Sequence, residues 1–464
     1  MLCFTTPMPS PTFTFLNHAS WLLRTDSALL LADPWLEGTL YNDACRLLDD
    51  SGGSAALIAE LNASGLPVFV WCSSARPDHL SRLFVQRFRA EFRGVATFLC
   101  RQGDWRLAAA LRRHHLAVAE CPADAARTLA PGLRLTAHAS GESGSYCLIA
   151  CGRHTLLHLG ERALATATAC HRVAAQLRAA QIRVDLLLTG FADLAWHDGP
   201  DDATRGQAAA ERDIARLACQ ADAFRPRLIV PVASFAQFSR IDNAWRNHGL
   251  PTPLDVLDAP RLAALRGVIR FMRPGAQFEL ASATPARLCA QHDAALVHWM
   301  ARWRAQPAPL PRPGQATLAE LKEAFAAYRD HASVHLCGLA SLLEWLRVVR
   351  PLHLALPDLH RTLVLSYRHG LRPLARDAPA DIAMCSGTAL YLLRAGDGFD
   401  TTVAGGCWRS RRVRGWSTFA RFFLPQRLCG RVRDRARQRP GALGGILLRA
   451  VLAWAWRVIR APLP

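Results

Sequence analysis

The sequence predicts an α/β protein, because apolar segments of strand length alternate along the chain with segments of helical periodicity. The clearest case is residues 67–81, PVFVWCSSARPDHLS, in which a β-branched apolar run breaks into a polar turn and then opens a helix at Leu80. Residues 96–100 and 105–114 repeat the order of strand and helix, and residues 184–191 form a nearly continuous apolar run typical of a buried strand. Loops at strand ends often present functional side chains on a rigid base, so we expect the chemistry in the polar turn of the first segment.

The length and composition of the chain are those of a globular protein with more than one domain. Its 464 residues are enough for two or three domains, and 51% hydrophobic residues allow sizeable cores. The fourteen cysteines are scattered and include no C-x-x-C pair, a pattern typical of reduced, buried thiols in a cytoplasmic protein. The N-terminus does not resemble a signal peptide, and no run of about 18 apolar residues predicts a membrane span.

The positive charge of the protein is concentrated near its C-terminus. The whole chain has a formal net charge of +19, but residues 401–464 hold 14 arginines and one acidic residue, a net charge of +13. The rest of the chain therefore carries only about +6. This distribution predicts an anionic partner for the C-terminal segment rather than for the whole surface.

Within that segment, residues 443–459 predict an amphipathic helix. At about 100° per residue, Arg449, Arg457 and Arg460 fall within an arc of about 80°, and the remaining surface is apolar and contains two tryptophans. Such a helix is typical of a membrane interface, so we expect peripheral attachment to an anionic inner leaflet. The alternative is a helix packed on the preceding domain. Nucleic acid is not an expected partner, because no recognition motif is visible.

The polar turn itself resembles the metal-binding loop of the metallo-β-lactamase superfamily, whose pattern after a strand is H-x-H-x-D-H. Aligned on Asp78 and His79, Ser74 and Arg76 stand where that family has its first two histidines. Glu161 stands where the family has an aspartate that bridges two metals. The resemblance implies catalytic roles for Asp78 and His79, and a metal site formed by these two residues with Glu161.

Two further segments are similar to one branch of this superfamily, which contains CMP-N-acetylneuraminate hydroxylase and UlaG-type lactonases. They are NHASWLL…LLLADPWLEG near the N-terminus and PVASFAQFSR at 231–240, continued by two asparagines. In that branch a histidine and an Asp-Pro pair, here His18 and Asp33-Pro34, flank the metal cleft. From these matches we expect an αββα metallo-β-lactamase-like sandwich. The candidate ligand-binding residues are Arg76, Ser74, His18, Ser239 and Asn243.

The altered loop leaves two functional hypotheses open. A two-metal site needs five or six histidine and carboxylate ligands, and the arginine is a permanent cation where the family has a ligand. One hypothesis is a metal-dependent hydrolase or oxygenase-like enzyme that holds a single zinc, iron or manganese ion through a remodelled set of ligands. Further candidate ligands are His18, His138, His158 and His197. The other is a metal-free binding or accessory protein for an anionic, glycan- or lipid-related ligand, held by the Arg76 fork. A salt bridge from Arg76 to Asp78 or Glu161 is the structural alternative.

The chain is predicted to contain four parts. Residues 1–305 form the sandwich, 306–315 a proline-rich linker, 316–407 a smaller α+β module and 408–464 a basic amphipathic tail. Within the third part, residues 381–406 resemble the C-terminal region of the same branch, a module similar to sterol-carrier-type domains.

We expect deletion of residues 441–464 to release the protein from membranes while the domain at 1–305 stays folded. Attachment of this kind combines apolar burial with electrostatics, so replacing Arg449, Arg457 and Arg460 by glutamate should have nearly the same effect. Co-sedimentation with anionic liposomes at increasing salt measures the binding, which should weaken as lipid charges are screened. A full-length protein that stays free of these liposomes at low salt contradicts the prediction.

Overall fold

The structure is a computed structural model that describes residues 10–140, 144–160, 162–194, 203–305, 307–336, 339–375 and 378–425. Glu161, His197 and the tail beyond residue 425 lie outside the described residues, so the predictions for them remain predictions. The chain divides into two compact units. Unit 1 consists of Met1–Leu194, Asp202–Ser239 and Ala244–Leu310, and unit 2 of Ala195–Asp201, Arg240–Asn243 and Pro311–Pro464.

Unit 1 contains sixteen described strands. They are β1 Thr12–Asn17, β2 Ser20–Arg24, β3 Leu29–Ala32, β4 Thr39–Leu40, β5 Cys45–Leu47, β6 Val68–Trp71, β7 Ala96–Arg101, β8 Val118–Cys121, β9 Ala126–Ala130, β10 Leu133–Ala139, β11 Ser145–Cys151, β12 His154–Gly160, β13 Leu186–Thr189, β14 Leu228–Pro231, β15 Ala236–Phe238 and β16 Gln277–Glu279. A seven-stranded sheet has the order β16-β1-β2-β3-β6-β7-β8, a six-stranded sheet the order β14-β13-β12-β11-β10-β9, and a small sheet the order β15-β5-β4.

The helices of unit 1 lie between these strands. They are α1 Ser54–Ser64, α2 Arg82–Glu91, α3 Trp105–Arg113, α4 Ala167–Ala179, α5 Ala203–Phe224, α6 Pro253–Asp258 and α7 Cys289–Ala305, with short 3-10 turns at Ala244–Gly249 and Pro260–Leu265. Helix α2 begins at Arg82 rather than at the expected Leu80, because the Ser81 hydroxyl caps it by accepting a hydrogen bond from the amide of Phe84.

The two large sheets pack face to face around one apolar core. Phe13 and Trp21 of the first sheet and Leu135 and Ile149 of the second belong to the same buried cluster. The opposite face of the first sheet is covered by α1, α2 and α3 through a separate apolar cluster, and α4 and α5 add buried side chains beside the second sheet. This arrangement confirms the predicted αββα sandwich.

Burial along the strands follows from these layers. In β1 the buried Phe13 and Phe15 alternate with partly exposed threonines, as expected for a strand with one covered face. Strands β3 and β6 are almost fully buried because helices cover their second face.

The parallel strands place several loops at one edge of the sandwich. Strands β3, β6, β7 and β8 are parallel to one another, so the chain leaves each at the same edge of the first sheet. Asp33 follows β3, the turn at 73–79 follows β6, and Arg101 ends β7. This edge therefore brings together polar residues that are distant in the sequence.

Ser234 ties together two loops of the second sheet. Its hydroxyl accepts hydrogen bonds from the amides of Phe191 and Ala192, both at 2.8 Å, and donates to the Ala192 carbonyl at 3.1 Å. Phe191 lies shortly after β13 and Ser234 shortly after β14, its parallel neighbour. The side chain is buried, so solvent does not replace these bonds.

Unit 2 is a smaller α+β unit with its own core. Its strands are β17 Leu352–Leu356, β18 Arg361–Ser366, β19 Gly370–Leu374, β20 Ile382–Ala383 and β21 Arg409–Ser410, in the order β19-β18-β17-β20-β21. Its helices are α8 Leu318–Leu336, α9 Leu339–Trp345, α10 Ser386–Arg394, α11 Gly398–Gly405 and α12 Gly415–Phe422, with a 3-10 turn at Pro357–Leu359.

The first part of the expected tail belongs to this core. Trp408, Phe419, Phe422 and Phe423 are buried in the apolar cluster of unit 2. Gly415 permits the approach of α12, because a Cβ atom there would lie 2.2 Å from the Asp381 carbonyl oxygen. Strand β21 and α12 are thus structural parts of unit 2. In the part of the chain that the structure describes, no helix is long and apolar enough to cross a membrane.

We expect Ser234→Ala to destabilise unit 1 by about 2–4 kcal/mol, because two buried amides lose their acceptor. Urea-induced unfolding of the full chain measures the loss. Ser282→Ala is the matched control, since the Ser282 hydroxyl makes only a 3.4 Å contact in an exposed setting; its effect should stay within about 0.5 kcal/mol. Equal stabilities of the two variants would contradict a structural role for Ser234.

Candidate functional site

The centre of the site is the buried carboxylate of Asp33. Its Oδ1 accepts a hydrogen bond from the Ser73 amide at 2.7 Å, and its Oδ2 accepts one from the Ser73 hydroxyl at 2.6 Å. The same Oδ2 lies 2.9 Å from His79 Nδ1, while His158 Nε2 is 4.0 Å away. Because all four side chains are buried, this network is shielded from water and fixes the orientation of the His79 ring.

The backbone conformation at Asp33 directs its carboxylate toward the turn after β6. Asp33 has φ 41°, in the left-handed region that aspartate tolerates better than most residues. Its amide donates to the Trp71 carbonyl at 2.9 Å, and its carbonyl accepts from the Ser20 hydroxyl at 2.7 Å. The bend after β3 is thereby held against β6, and the carboxylate points into the turn that follows β6.

Ser73, His79 and Asp33 do not form a hydrolytic triad. In such a triad the serine contacts one ring nitrogen and the aspartate the other, so that the ring accepts the serine proton while the aspartate orients and stabilises the imidazolium. Here the Ser73 hydroxyl lies 3.1 Å from Nδ1, the same nitrogen that contacts Asp33. The serine also directs its hydrogen bond to the aspartate. The geometry supports a structural network and not an activated serine.

Asp78 is engaged by a phenol and a guanidinium. The Tyr41 hydroxyl donates to Oδ1 at 2.6 Å, and Arg76 Nη2 donates to Oδ2 at 2.5 Å. Arg76 Nε is also 3.4 Å from the Tyr41 hydroxyl. Burial raises the pKa of Tyr41 well above its ordinary value, so the hydroxyl keeps its proton and acts as the donor. The Asp78 side chain is only 2% exposed, whereas that of Arg76 is 26% exposed.

This arrangement does not fit a metal ion of the kind that the family resemblance implies. A metal-bound carboxylate presents an oxygen to the cation, but here both Asp78 oxygens accept hydrogen bonds and Oδ2 faces a permanent positive charge. Burial raises the pKa of the nearby Cys72 and Cys147 thiols, and the Asp33 charge raises it further. Among the described residues, no group of three or more histidine, cysteine, aspartate or glutamate side chains is placed to hold a metal.

A second arginine borders the same turn. Arg101 Nε donates to the Ser145 hydroxyl at 3.1 Å, and the Ser145 amide donates to the Ser73 carbonyl at 2.7 Å. The first strand residue of β11 thus links Arg101 to the residue that contacts Asp33. Arg101 is partly exposed, so the edge presents two cations beside two buried carboxylates.

The other predicted ligand-binding residues are held in local hydrogen bonds. The Ser74 hydroxyl accepts from the Arg76 amide at 3.1 Å, and His18 Nδ1 accepts from the Phe235 amide at 3.2 Å. The His18 ring also packs edge-on against Trp35.

Ser239 and Asn243 contact the main chain. The Ser239 hydroxyl donates to the Asp43 carbonyl in unit 1, and within unit 2 the Asn243 side chain accepts from the Arg240 amide and donates to the Gly405 carbonyl. A ligand-binding role for any of these residues stays a prediction.

The structure adds Tyr41, Ser73 and Arg101 to the site. Ser73 could have been found, because a small polar residue directly after an apolar strand lies at the start of the predicted loop. Tyr41 and Arg101 carry no such signal, since their contacts with the turn depend on how separate strands pair.

Arg76, Asp78 and His79 lie in one turn, in which Asp78 Oδ2 is 2.5 Å from Arg76 Nη2 and 3.7 Å from His79 Nε2. The expectation that Glu161 and His18 join them stays a prediction.

No protein-family model matches the chain, and no curated protein matches it. Several solved structures do. CmlA, a diiron β-hydroxylase from Streptomyces venezuelae, is 16% identical with a TM-score of 0.40, over 59% of this chain and 55% of that chain. The metallo-β-lactamase fold protein YhfI from Bacillus subtilis is 12% identical with a TM-score of 0.37, over 58% and 99%. Zn²⁺-bound PqqB from Methylobacterium extorquens is 14% identical with a TM-score of 0.34, over 57% and 86%.

These similarities transfer no activity to this chain, which spans about 55% of the length of the CmlA structure. Unit 1 has two large sheets around a shared core, and its Asp78-His79 turn lies at the edge of parallel strands. Both features are those expected from the sequence. Unit 1 is an αββα sandwich, the architecture that the resemblance to the metallo-β-lactamase superfamily implied.

Proposed function

We propose that unit 1 is a binding module for an anionic ligand and works without a metal ion. The single observation that carries this proposal is the ion pair between Arg76 and Asp78, in which the guanidinium engages an oxygen that a metal-binding carboxylate would offer to the metal. Coulomb repulsion between this cation and a divalent ion at the same carboxylate is unfavourable by several kcal/mol at effective interior screening.

The charges of the turn support an anionic ligand rather than a cationic one. Asp33 and Asp78 are buried and accept hydrogen bonds from protein donors, whereas Arg76 and Arg101 reach the surface. A guanidinium offers five N–H donors and matches the two oxygens of a carboxylate or a phosphate. The ligand class is therefore a small carboxylate or phosphate, of the type found on acidic sugars and lipid headgroups.

The competing function is a metal-dependent hydrolase or oxygenase-like enzyme with a remodelled mononuclear site. It requires Arg76 to leave Asp78, so that the carboxylate becomes a ligand. It also requires His79 Nε2, now 3.7 Å from Asp78 Oδ2, to turn toward a metal while Nδ1 stays on Asp33. The two functions differ in metal content, which can be measured directly.

We expect the dialysed protein to hold well under one equivalent of zinc, iron or manganese by elemental analysis. The matched comparison is the double variant Ser74→His with Arg76→His, which removes the cation and adds two imidazoles beside Asp78 and His79. Because imidazole is a good zinc ligand, the double variant should retain more zinc than the parent. A parent stoichiometry near two that survives dialysis overturns the metal-free proposal and favours the enzyme.

Inorganic phosphate and citrate serve as probes of anion binding, followed by isothermal titration calorimetry. Arg76→Gln and Arg101→Gln should each weaken binding of the better probe about tenfold or more, because a hydrogen bond to a charged group contributes about 1.5–3 kcal/mol. Arg89→Gln, at an exposed position on α2, is the control and should leave the affinity unchanged. Equal affinities in all three variants would contradict anion binding at this turn.

A further inference from the structure

Helix α9 of unit 2 presents large apolar side chains to solvent. Leu342, Trp345 and Leu346 are 47%, 62% and 53% exposed, respectively. Their spacing places them on one face of the helix, whose last turn continues through a hydrogen bond from the Leu346 amide to the Leu342 carbonyl. We call these three residues the α9 face. A contiguous cluster of exposed apolar side chains on one helical turn is typical of an interaction site.

The opposite side of α9 fixes this orientation. Leu343 and Val349 are buried in the core of unit 2. The buried Glu344 carboxylate accepts hydrogen bonds from the Ser366 hydroxyl at 2.5 Å and from the Tyr367 amide at 2.6 Å. Rotating the helix to hide Trp345 would expose this core and break both bonds, so the α9 face is a stable feature of the folded unit.

The exposed charged residues that follow α9 and lie in the β18–β19 turn are arginines. Arg347 and Arg350 follow the helix and are exposed, and Arg368 is exposed in the β18–β19 turn that Glu344 holds against α9. Within residues 340–350 and 366–370, all of which the structure describes, Glu344 is the sole acidic residue and it is buried. Exposed apolar side chains with arginines nearby complement a surface that has anionic groups on the outside and an apolar layer beneath them.

We propose that the α9 face docks on an anionic lipid bilayer. Trp345 would lie at the headgroup level with its ring among the acyl chains, Leu342 and Leu346 would enter beside it, and the arginines would contact lipid phosphates. A stable protein partner buries about 800 Å² on each side, which three side chains do not supply. A bilayer needs no such area, because each inserted side chain and each arginine adds to the attachment separately. This contact involves described residues of unit 2 and does not depend on the tail or on the anion site of unit 1.

The test uses the full chain and vesicles of phosphatidylcholine with phosphatidylglycerol, compared with vesicles of phosphatidylcholine alone. We expect the double variant Trp345→Ser with Leu346→Ser to lower the partition coefficient at least tenfold. Arg347→Ala with Arg350→Ala should lower it about thirtyfold at low salt, because each arginine near an anionic surface contributes about 1 kcal/mol.

Two control variants keep the same chemistry elsewhere. Val297→Ser removes an apolar side chain that is 74% exposed on α7, and Arg82→Ala with Arg89→Ala removes two exposed charges on α2. Neither should change the partition coefficient by more than about twofold, since both variants alter unit 1 and leave the α9 face of unit 2 intact.

Hydrogen exchange gives a local measurement that overall binding does not. Amides of residues 341–350 should exchange more slowly when anionic vesicles are added, and this protection should vanish in the Trp345→Ser, Leu346→Ser variant. Unchanged exchange together with unchanged partitioning of the variant overturns the proposal. Equal binding to both vesicle types overturns its electrostatic part. If deleting residues 441–464 accelerates exchange at 341–350 without vesicles, the tail occupies the α9 face and the proposal is wrong.

Discussion

The site of unit 1 depends on one buried carboxylate, that of Asp33. A buried anion is stable only when protein donors replace water, and here an amide, a hydroxyl and an imidazole do so. These three donors come from the turn after β6, whereas Asp33 follows β3. Leaving such a group without partners typically costs about 3–5 kcal/mol, so the turn has one stable position relative to the bend. The position of the turn also fixes the orientation of the His79 ring, and with it the 3.7 Å distance from His79 Nε2 to Asp78 Oδ2.

Asp78, the second buried carboxylate of this site, is stabilised by donors from the protein. Asp78 would repel Asp33 across the buried edge if neither were neutralised. Arg76 supplies the compensating charge from two residues away, and Tyr41 supplies a neutral donor from a different part of the chain. Donors and acceptors around Asp78 are therefore matched within the protein.

The secondary structure around the site could be predicted from the sequence, because hydrophobic periodicity and turn residues are local patterns. The apolar run before residue 72, the polar turn and the following helix gave the strand, the loop and the grouping of Arg76, Asp78 and His79. Tyr41 lies 37 positions from Asp78, and its contact depends on the path of the chain between β4 and β5, which no periodicity reveals. Residues 408–423 are predicted to be part of a basic tail, because arginines interleave with their aromatic residues. The structure buries Trp408, Phe419, Phe422 and Phe423 in the core of unit 2, which the local charge pattern does not indicate.

Arginine is the common element of the two proposed contact surfaces, and its chemistry explains why it suits both. The chain has 55 arginines and a single lysine, so nearly every cation is a planar, permanently charged fork. At the turn of unit 1 the fork satisfies a buried carboxylate while it reaches the surface, which a compact ammonium group does less well. In the proposed lipid contact beside α9, the weak hydration of the guanidinium would favour Arg347 and Arg350 close to phosphates, next to the exposed Trp345. At both proposed surfaces a planar, delocalised cation would lie beside low-dielectric surroundings, where its parallel N–H donors can match two oxygens of an anion.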